Sequence, residues 1–169
     1  MVERIFVGLG SNTAQAPLHV EKARMALEEL PMLAFVQASS VYCTEPQGFS
    51  AQPWFHNCVL EFRLVGESTP CELVEAFLAI EARLGRVRLQ NAPRFGPRVI
   101  DIDLLVFGER VSRDPFCCVP HPRMCERAFV LVPLHEIAPD LVLAGKPVAA
   151  YLNKLIYHLE GKKIFQPVS

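Results

Sequence analysis

The segment VIDIDLLVF, residues 99–107, constrains the fold more than any other stretch, because two aspartates alternate in it with aliphatic residues. On a β-strand, side chains two residues apart lie on the same face. The two predicted faces are Ile100, Ile102, Leu104 and Val106 on one side, and Asp101, Asp103, Leu105 and Phe107 on the other. The first face is typical of a strand that is buried in a sheet, whereas the two acids of the second face need a partner.

Three further strands and two helices are predicted before this segment. Residues 3–9, 34–42 and 57–65 have the apolar content or the alternation of strands, and residues 17–30 and 69–84 carry apolar side chains at helical spacing. The order is therefore β-α-β-β-α-β, which predicts an α+β fold of the ferredoxin-like type.

The C-terminal part is expected to add a strand near 116–119, a short helix near 127–136 and a terminal helix near 147–158. No linker or repeat interrupts the sequence, so we expect a single domain that covers residues 1–169. Nothing in the pattern demands more than a monomer.

Composition and charge argue against several classes of function. The formal net charge of −1 does not favour a general nucleic-acid or membrane-surface protein. No apolar run approaches the roughly 18 residues of a membrane span, and the N-terminus does not resemble a signal peptide. The six cysteines show no metal-type CxxC spacing, and most of them lie in apolar runs. We therefore expect reduced thiols in a cytoplasmic protein.

The acidic pair Asp101 and Asp103 is the first candidate site. At ~3.3 Å per residue their backbones would be about 6–7 Å apart, so the two carboxylates repel each other unless a positive group lies between them. Mg²⁺ binds such oxygen ligands and keeps waters or substrate phosphates as its other ligands. Ion pairing with basic side chains is the alternative, and the pair by itself does not decide between the two.

An arginine-rich segment leads directly into the acidic pair. Between Ala82 and Ile100 there is no acid and there are five arginines, Arg83, Arg86, Arg88, Arg94 and Arg98. The prolines and glycines of this segment predict a loop. An arginine side chain binds two phosphate oxygens at once, so arginines beside a metal-binding acid pair are expected at a Mg²⁺–triphosphate site. A basic surface loop without this function is the alternative.

Two further segments carry candidate binding residues. His121, Arg123 and Arg127 would add groups that bind anions, and a purely structural role of His121 between its two prolines is the alternative. The loop of residues 44–57 carries three large aromatic rings and ends at Asn57. Flat rings and an amide suit a pocket for a planar heterocycle, and aromatic rings that merely cover the core are the alternative. The segment GLGSNT has only part of the GxGxxG pattern and does not predict a dinucleotide site.

Six motifs follow one another between about residues 3 and 143: GLGSN, YCTEPQG, FHN, IEARLGRVR, RFGPRVIDIDLLVFG and VPHPRMCERAFVLVPLHEIAPDL. Together they closely resemble the 6-hydroxymethyl-7,8-dihydropterin pyrophosphokinase family of folate biosynthesis, and the last two are highly specific. The resemblance implies a ferredoxin-like α+β fold. It also implies transfer of the pyrophosphoryl group of ATP to the hydroxymethyl oxygen of the pterin, which gives AMP and the pterin diphosphate.

The resemblance further implies roles for individual residues. Asp101 and Asp103 would bind two Mg²⁺ ions that bridge the ATP phosphates and the pterin hydroxyl. The phosphate and catalytic-loop set would be Arg86, Arg88 and Arg98, with Arg98 nearest the metals. The other ATP-binding residues would be Glu81, His121 and Arg127. The pterin pocket would be made of Thr44, Gln47 (largely through its backbone), Phe55, Asn57 and Phe129, with the ring between the two phenylalanines.

Three positions depart from the family pattern. Phe95 stands where a tryptophan is common, Cys125 where a histidine is frequent, and Glu45 where some members have proline.

Two rival functions remain open. The first rival is a metal-dependent nucleotidyltransferase or nuclease, which predicts a broad basic surface that the net charge does not favour. The second is a non-catalytic ferredoxin-like module, which gives no reason for an acid pair beside five arginines.

Overall fold

All six elements predicted for the first part of the chain are present, and one of them is divided in two. They are β1 (Arg4–Ser11), α1 (Ala16–Glu28), β2 (Leu33–Ala38), β3 (Tyr42–Thr44), β4 (Phe55–Leu64), α2 (Pro70–Arg83) and β5 (Asp101–Phe107). The computed structural model describes residues 2–46, 51–86 and 98–167. The predicted α+β class is confirmed.

The strand predicted over residues 34–42 is divided because Ser39 interrupts it. β2 and β3 pair with different halves of β4. Between them, the N–H of Ser39 donates to the carbonyl of Val59 at 2.9 Å, and the hydroxyl of Ser39 accepts from the N–H of Val59 at 2.9 Å. The side chain thus accepts a ladder hydrogen bond that a backbone carbonyl would otherwise accept.

The C-terminal part adds short elements on one side of the sheet and at its far edge. They are a 3-10 turn (Met124–Glu126), α3 (Ala128–Ile137), β6 (Val142–Leu143), β7 (Lys146–Pro147), α4 (Val148–Leu152), β8 (His158–Glu160) and β9 (Lys163–Phe165). The helix predicted near 127–136 is confirmed as α3. The hairpins β6-β7 and β8-β9 have no counterpart in the sequence-based prediction.

The strand predicted near 116–119 is wrong. This segment makes only one isolated bridge, between Ser112 and Val119. The carboxylate of Asp114 accepts a hydrogen bond from the N–H of Phe116 at 2.9 Å. A side chain that bonds the backbone two residues on favours a turn over a strand.

The terminal helix is shorter than predicted. α4 ends at Leu152, whereas the prediction extended it to about residue 158. The chain then turns at Gly161, whose φ is 59°, and β8 and β9 pair as an antiparallel hairpin. The chain after Leu152 thus leads into a hairpin whose strand β9 pairs with β3, and the helix does not continue.

The acidic pair lies on an edge strand of the sheet. The strand order is β5-β1-β4-β3-β9-β8, with β2 also paired to β4. β1 is antiparallel to both β4 and β5, and β9 is parallel to β3. The open edge of β5 meets α2, where Glu81 Oε1 accepts from the N–H of Ile102 at 2.8 Å. This contact satisfies one of the edge N–H groups that no strand pairs.

Hydrophobic side chains pack on both faces of the sheet. The helices α1 and α2 cover one face with Val20, Leu27, Leu73, Phe77 and Ile80. The helices α3 and α4 cover the other with Leu131, Leu134, Val148 and Leu152. The sheet is therefore the middle of three layers. Among the helices that the structure describes, none combines the length and the apolar character needed to cross a membrane.

The predicted alternation of β5 holds over residues 100–104 and then breaks. A register shift in the pairing with β1 leaves Leu105 as an extra residue. As a result, Leu105 and Val106 both pack on the α3 side, and Phe107 packs on the α1 and α2 side. The predicted faces are thus wrong for Val106 and Phe107 and correct for the acidic pair.

Two of the six cysteines, which we expected to be reduced, are joined. Cys71, in the first turn of α2, and Cys117 form a disulfide with Cα atoms 4.9 Å apart. They are 46 positions apart in the sequence, so their spacing carries no sign of the pairing. The free cysteines are Cys43, Cys58, Cys118 and Cys125.

Protein purified without reductant should therefore show four titratable thiols after unfolding and six after reduction. A chromogenic thiol titration in denaturant measures both numbers. In the Cys71→Ser variant the count should be the same before and after reduction, because Cys117 then has no partner. Six thiols in the unreduced wild-type protein would contradict the pairing.

Candidate active site

Two pockets meet at the beginning of β5, and three residues line both of them: Arg98, Asp101 and Asp103. The first pocket has aromatic and polar walls that include Thr44, Phe55, Asn57, Arg127 and Phe129. The second lies between β5 and α2, and its lining includes Val74, Leu78, Glu81, Arg86 and His121. The acidic pair is therefore the junction of an aromatic pocket and a pocket with cationic groups.

Backbone register places the two aspartates beside glycines. Asp101 lies opposite Gly10 of β1, and Asp103 lies opposite Gly8. Residues that are opposite each other in a sheet share a face, and glycine has no side chain to fill the space there. Both glycines line the first pocket. The two glycines of the segment GLGSNT thus leave space beside the carboxylates. The incomplete GxGxxG pattern did not predict this role.

Asp101 is bound by two arginines. Arg86 Nη1 lies 2.5 Å from Asp101 Oδ1, and Arg98 Nη1 donates to Asp101 Oδ2 at 2.7 Å. Arg86 Nη1 also lies 2.8 Å from Oε1 of the buried Glu81. The side chains of Arg86 and Asp101 are each only 16% exposed, so water screens this pair less than a surface ion pair. Ion pairing, one of the two interpretations of the acid pair, is realised at Asp101.

Asp103 has a different electrostatic environment. Burial and the negative charge of Asp101 raise the pKa of Asp103 to about 6, although Arg127 and Arg86 oppose this rise. The ionised form of Asp103 is therefore disfavoured. A cation bound beside Asp103 would stabilise its ionised form, because its positive charge offsets both the loss of solvation and the repulsion from Asp101.

Asn12 holds the backbone of Arg98 and is a site residue that the sequence analysis missed. Its Oδ1 accepts from the N–H of Arg98 at 2.7 Å, and its own N–H donates to the carbonyl of Arg98 at 3.3 Å. Its Nδ2 donates to Oε1 of Gln52 at 3.0 Å. Because Asn12 is fully buried, these hydrogen bonds rigidly connect the segment before β5 with the loop before β4.

The polar end of the first pocket is an amide that depends on a glycine. Asn57 Nδ2 donates to Thr44 Oγ1 at 2.7 Å, and both residues are buried. Asn57 lies opposite Gly10 in the sheet. A Cβ atom at Gly10 would lie 2.6 Å from Asn57 Oδ1, which is closer than two such atoms can approach. Gly10 is therefore required for the position of the Asn57 amide.

His121 is a neutral hydrogen-bond donor at pH 7. Its backbone N–H donates to the carbonyl of Leu105 at 2.8 Å, which holds it beside β5. Its Nδ1 accepts from the N–H of Arg123 at 3.2 Å, so the proton of the neutral ring is on Nε2. Burial and the positive charges of Arg127 and Arg123 lower the pKa of His121 to about 4.

Arg127 is a half-buried cation whose Nε atom has an unfilled hydrogen-bonding position. Burial lowers its pKa, while the negative charge of Asp103 opposes this shift. Its Nε is buried and has no hydrogen-bond partner among the residues that the structure describes. Its guanidinium carbon lies 5.5 Å from the centre of the Phe129 ring. A buried donor without a partner is costly, and an anionic ligand would satisfy it.

The two pockets account for every described residue to which the family resemblance gives a role. Gln47 and Arg88 lie outside the described ranges, as do Phe49 and Phe95. Trp54, which we grouped with the aromatic rings of the pocket loop, does not line the pocket. It packs edge-on against Phe165 with ring centroids 5.4 Å apart, and this contact could not be foreseen because β9 was not predicted.

Comparison with known proteins shows the family of this chain. The model of the 7,8-dihydro-6-hydroxymethylpterin-pyrophosphokinase (HPPK) family matches residues 6–139, and the chain belongs to this family. It is 46% identical to 2-amino-4-hydroxy-6-hydroxymethyldihydropteridine pyrophosphokinase of Methylorubrum extorquens, over 90% of this chain and 93% of that protein. It is 43% identical to the protein of the same name in Pseudomonas aeruginosa, over 92% of this chain and 91% of that protein.

The fold is similar to that of solved HPPK-DHPS structures. A structure of HPPK-DHPS in complex with substrates has a TM-score of 0.65 at 12% identity, and the match covers 97% of this chain and 48% of that chain. A structure of HPPK-DHPS from Plasmodium falciparum has a TM-score of 0.68 at 12% identity, with 91% and 45% covered. The chain thus spans about half the length of these solved chains, and the likeness shows the fold alone.

Gly10→Ala should lower the free energy of unfolding by roughly 1–3 kcal/mol, because the added Cβ displaces the buried Asn57 amide from its hydrogen bond to Thr44. Urea unfolding measures this. Gly8→Ala is the matched control for the change of glycine to alanine in the same strand, since its Cβ would meet the Leu105 side chain at 3.5 Å, an ordinary contact. Equal stability of the Gly10→Ala and Gly8→Ala variants would contradict the role of Gly10.

The His121 ring should titrate with a pKa of about 4 in the ligand-free protein. The folded state favours the neutral ring, so His121 contributes stability that is present above its ordinary pKa of 6.5 and is lost as the pH falls toward 4. An NMR titration of the ring protons, assigned with His121→Gln, measures the pKa. Arg123→Gln should raise it by removing one positive charge, and a pKa unchanged by that substitution would exclude the charge effect.

Proposed function

We propose that the chain transfers the pyrophosphoryl group of ATP to 6-hydroxymethyl-7,8-dihydropterin, giving AMP and the pterin diphosphate in folate biosynthesis. The family and the relatives named above support a pyrophosphokinase. We assign this reaction to the two pockets because they differ in character and meet at three shared residues, Arg98, Asp101 and Asp103. A group that passes from one substrate to the other would do so beside the acidic pair.

The first pocket suits the pterin. Phe55 and Phe129 both line it, and flat aromatic rings favour stacking with a flat heterocycle. The Asn57 amide has both donor and acceptor capacity, and its bond to Thr44 holds it in one orientation. We propose that these four side chains bind the pterin ring with its hydroxymethyl group directed to the acidic pair, and that Gln47 contributes from outside the described ranges.

The second pocket suits the nucleotide. Val74 and Leu78 form an apolar part for the base, and the cationic groups lie nearer the acidic pair. We propose that the phosphates are bound by Arg86, Arg88, Arg98, His121 and Arg127. Glu81 contributes to this pocket indirectly, because it binds the N–H of Ile102 and the guanidinium of Arg86.

Asp101 and Asp103 have the chemistry of a magnesium site. They offer carboxylate oxygens, the ligands that Mg²⁺ prefers, and burial and mutual repulsion disfavour the ionised form of Asp103 when no cation is bound. We propose that the two aspartates hold two Mg²⁺ ions, which when bound would neutralise phosphate charge and acidify the pterin hydroxyl.

The arginines on Asp101 suggest how the free site prepares for the triphosphate. Arg86 and Arg98 are held at the acidic pair by Asp101 itself. When phosphates bind, both guanidinium groups would exchange Asp101 for phosphate oxygens, and the Asp101 carboxylate would then be free to hold a metal ion. The arginines would then stabilise the negative charge that develops as the bond to the α-phosphate breaks.

We also propose that the first six predicted elements form a ferredoxin-like fold and that the protein acts as a monomer in the cytoplasm, where the Cys71–Cys117 pair would be exposed to reduction. The order β5-β1-β4, with β2 and β3 on the far side of β4 and every pair antiparallel, supports this fold. The proposed reaction needs no nucleic acid, membrane or second subunit.

With Mg²⁺ and ATP, the protein should form AMP only when 6-hydroxymethyl-7,8-dihydropterin is present. Chromatography of the nucleotide products measures this, and a chelator should abolish the reaction. Formation of ADP, or of AMP without dependence on the pterin, would overturn the proposed function.

In the same assay, Asp101→Ala and Asp103→Ala should each lower the rate by several orders of magnitude, since phosphoryl-transfer enzymes depend mainly on electrostatic stabilisation of the transition state. Asp140→Ala is the control, because Asp140 is 73% exposed and bound to Arg4 away from the pockets. Near wild-type turnover and unchanged Mg²⁺ dependence in either site variant would exclude the metal assignment.

A further inference from the structure

The C-terminal strand β9 lies against one wall of the first pocket. It pairs in parallel with β3, the strand that ends at Thr44. Phe165 packs edge-on against Trp54 at 5.4 Å, and Lys163 Nζ lies 5.6 Å from the centre of the same ring. Trp54 directly precedes Phe55 of the pocket. β9 therefore supports two of the proposed pterin-binding residues, and it lies beyond residue 139, where the match to the family model ends.

The residue after β9, Gln166, binds the backbone on both sides of Arg127. Its Oε1 accepts from the N–H of Ala128 at 2.8 Å, and its Nε2 donates to the carbonyl of Glu126 at 2.8 Å. Arg127 has extended backbone angles, φ −115° and ψ 107°. In an extended residue, the preceding carbonyl and the following N–H point to the same side. The side-chain amide of Gln166 thus binds this residue as a neighbouring strand would.

These hydrogen bonds also meet a requirement of α3. The first N–H groups of a helix have no partner within the helix, and Arg127, the N-cap residue, makes no side-chain capping bond. Gln166 provides the acceptor for Ala128 from a position 38 residues away. Since Arg127 and Phe129 flank Ala128, both side chains extend from backbone that Gln166 holds.

We propose that Gln166 is a positioning residue of the pterin site. Its amide fixes the backbone of Arg127 and thereby the directions of the Arg127 guanidinium and of the Phe129 ring, which lie 5.5 Å apart. Gln166 itself is not part of the lining of either pocket. The inference rests on the proposed function, because it concerns the binding of the pterin.

The test compares two substitutions of Gln166 with a control on the same hairpin. Gln166→Met keeps the size of the side chain and loses both hydrogen bonds, whereas Gln166→Glu keeps an acceptor for the N–H of Ala128. Glu160→Gln is the control, since Glu160 is exposed in β8. The dissociation constant of 6-hydroxymethylpterin is measured by calorimetry with a non-hydrolysable ATP analogue present. We expect about a tenfold rise for Gln166→Met, because binding would then have to order the released segment that carries Arg127 and Phe129, a smaller rise for Gln166→Glu and none for the control.

Fluorescence separates positioning from loss of structure. The chain has one tryptophan, and Trp54 contacts Phe165, so its emission reports whether β9 is docked. Weaker pterin binding with unchanged emission and melting temperature supports the inference. Wild-type pterin affinity in Gln166→Met overturns it, and so does a loss of affinity accompanied by red-shifted emission, because the hairpin has then detached as a whole.

The wild-type protein distinguishes the two proposals. If it binds the pterin and the Gln166 variants bind equally well, the positioning role alone is overturned. If the wild-type protein itself binds no pterin with the ATP analogue present, the proposed function is overturned and the inference with it.

Discussion

The repulsion between Asp101 and Asp103 is the constraint on which the rest of the site depends. Burial and the neighbouring charge raise the pKa of Asp103 to about 6, and Arg86 and Arg98 both bind Asp101. One arginine follows α2 and the other precedes β5, so the pair is stabilised only while these two parts of the chain remain together. In the proposed function, the metal ions would supply further positive charge beside Asp103.

The strand register and the open edge of the sheet provide the surroundings that accommodate the repulsion between Asp101 and Asp103. Glycines of β1 lie opposite both aspartates and leave space beside them. Because β5 is an edge strand, its outer side is open to α2, and Glu81 can bind both its backbone and Arg86. Asn12, at the end of β1, holds Arg98 by two backbone hydrogen bonds. Strands that belong to the core thus carry the charged groups in a rigid arrangement.

Local sequence patterns predicted the acidic face of β5 and most of the helices and strands. The predictions failed at residues whose position depends on a contact with a distant part of the chain. The period of a strand puts Asp101 and Asp103 on one face whatever lies beside them, and the structure agrees. The alternation breaks after Leu104 because β1 imposes a bulge. Trp54 was grouped with the pocket because nothing in its own segment shows that Phe165 covers it. Asn12 was missed because its partners, Arg98 and Gln52, are far away in the sequence.

The sequence by itself determined the acid pair on one face of a buried strand, the arginines that lead into it, and the motifs that mark the family. These are properties of side-chain period and residue order, which a chain has before it folds. Only the tertiary structure decided that two arginines bind Asp101, that Cys71 meets Cys117, and that Gln166 caps a helix 38 residues away. Such contacts join residues distant in sequence, and their partners are set by strand register and by how the helices pack on the sheet.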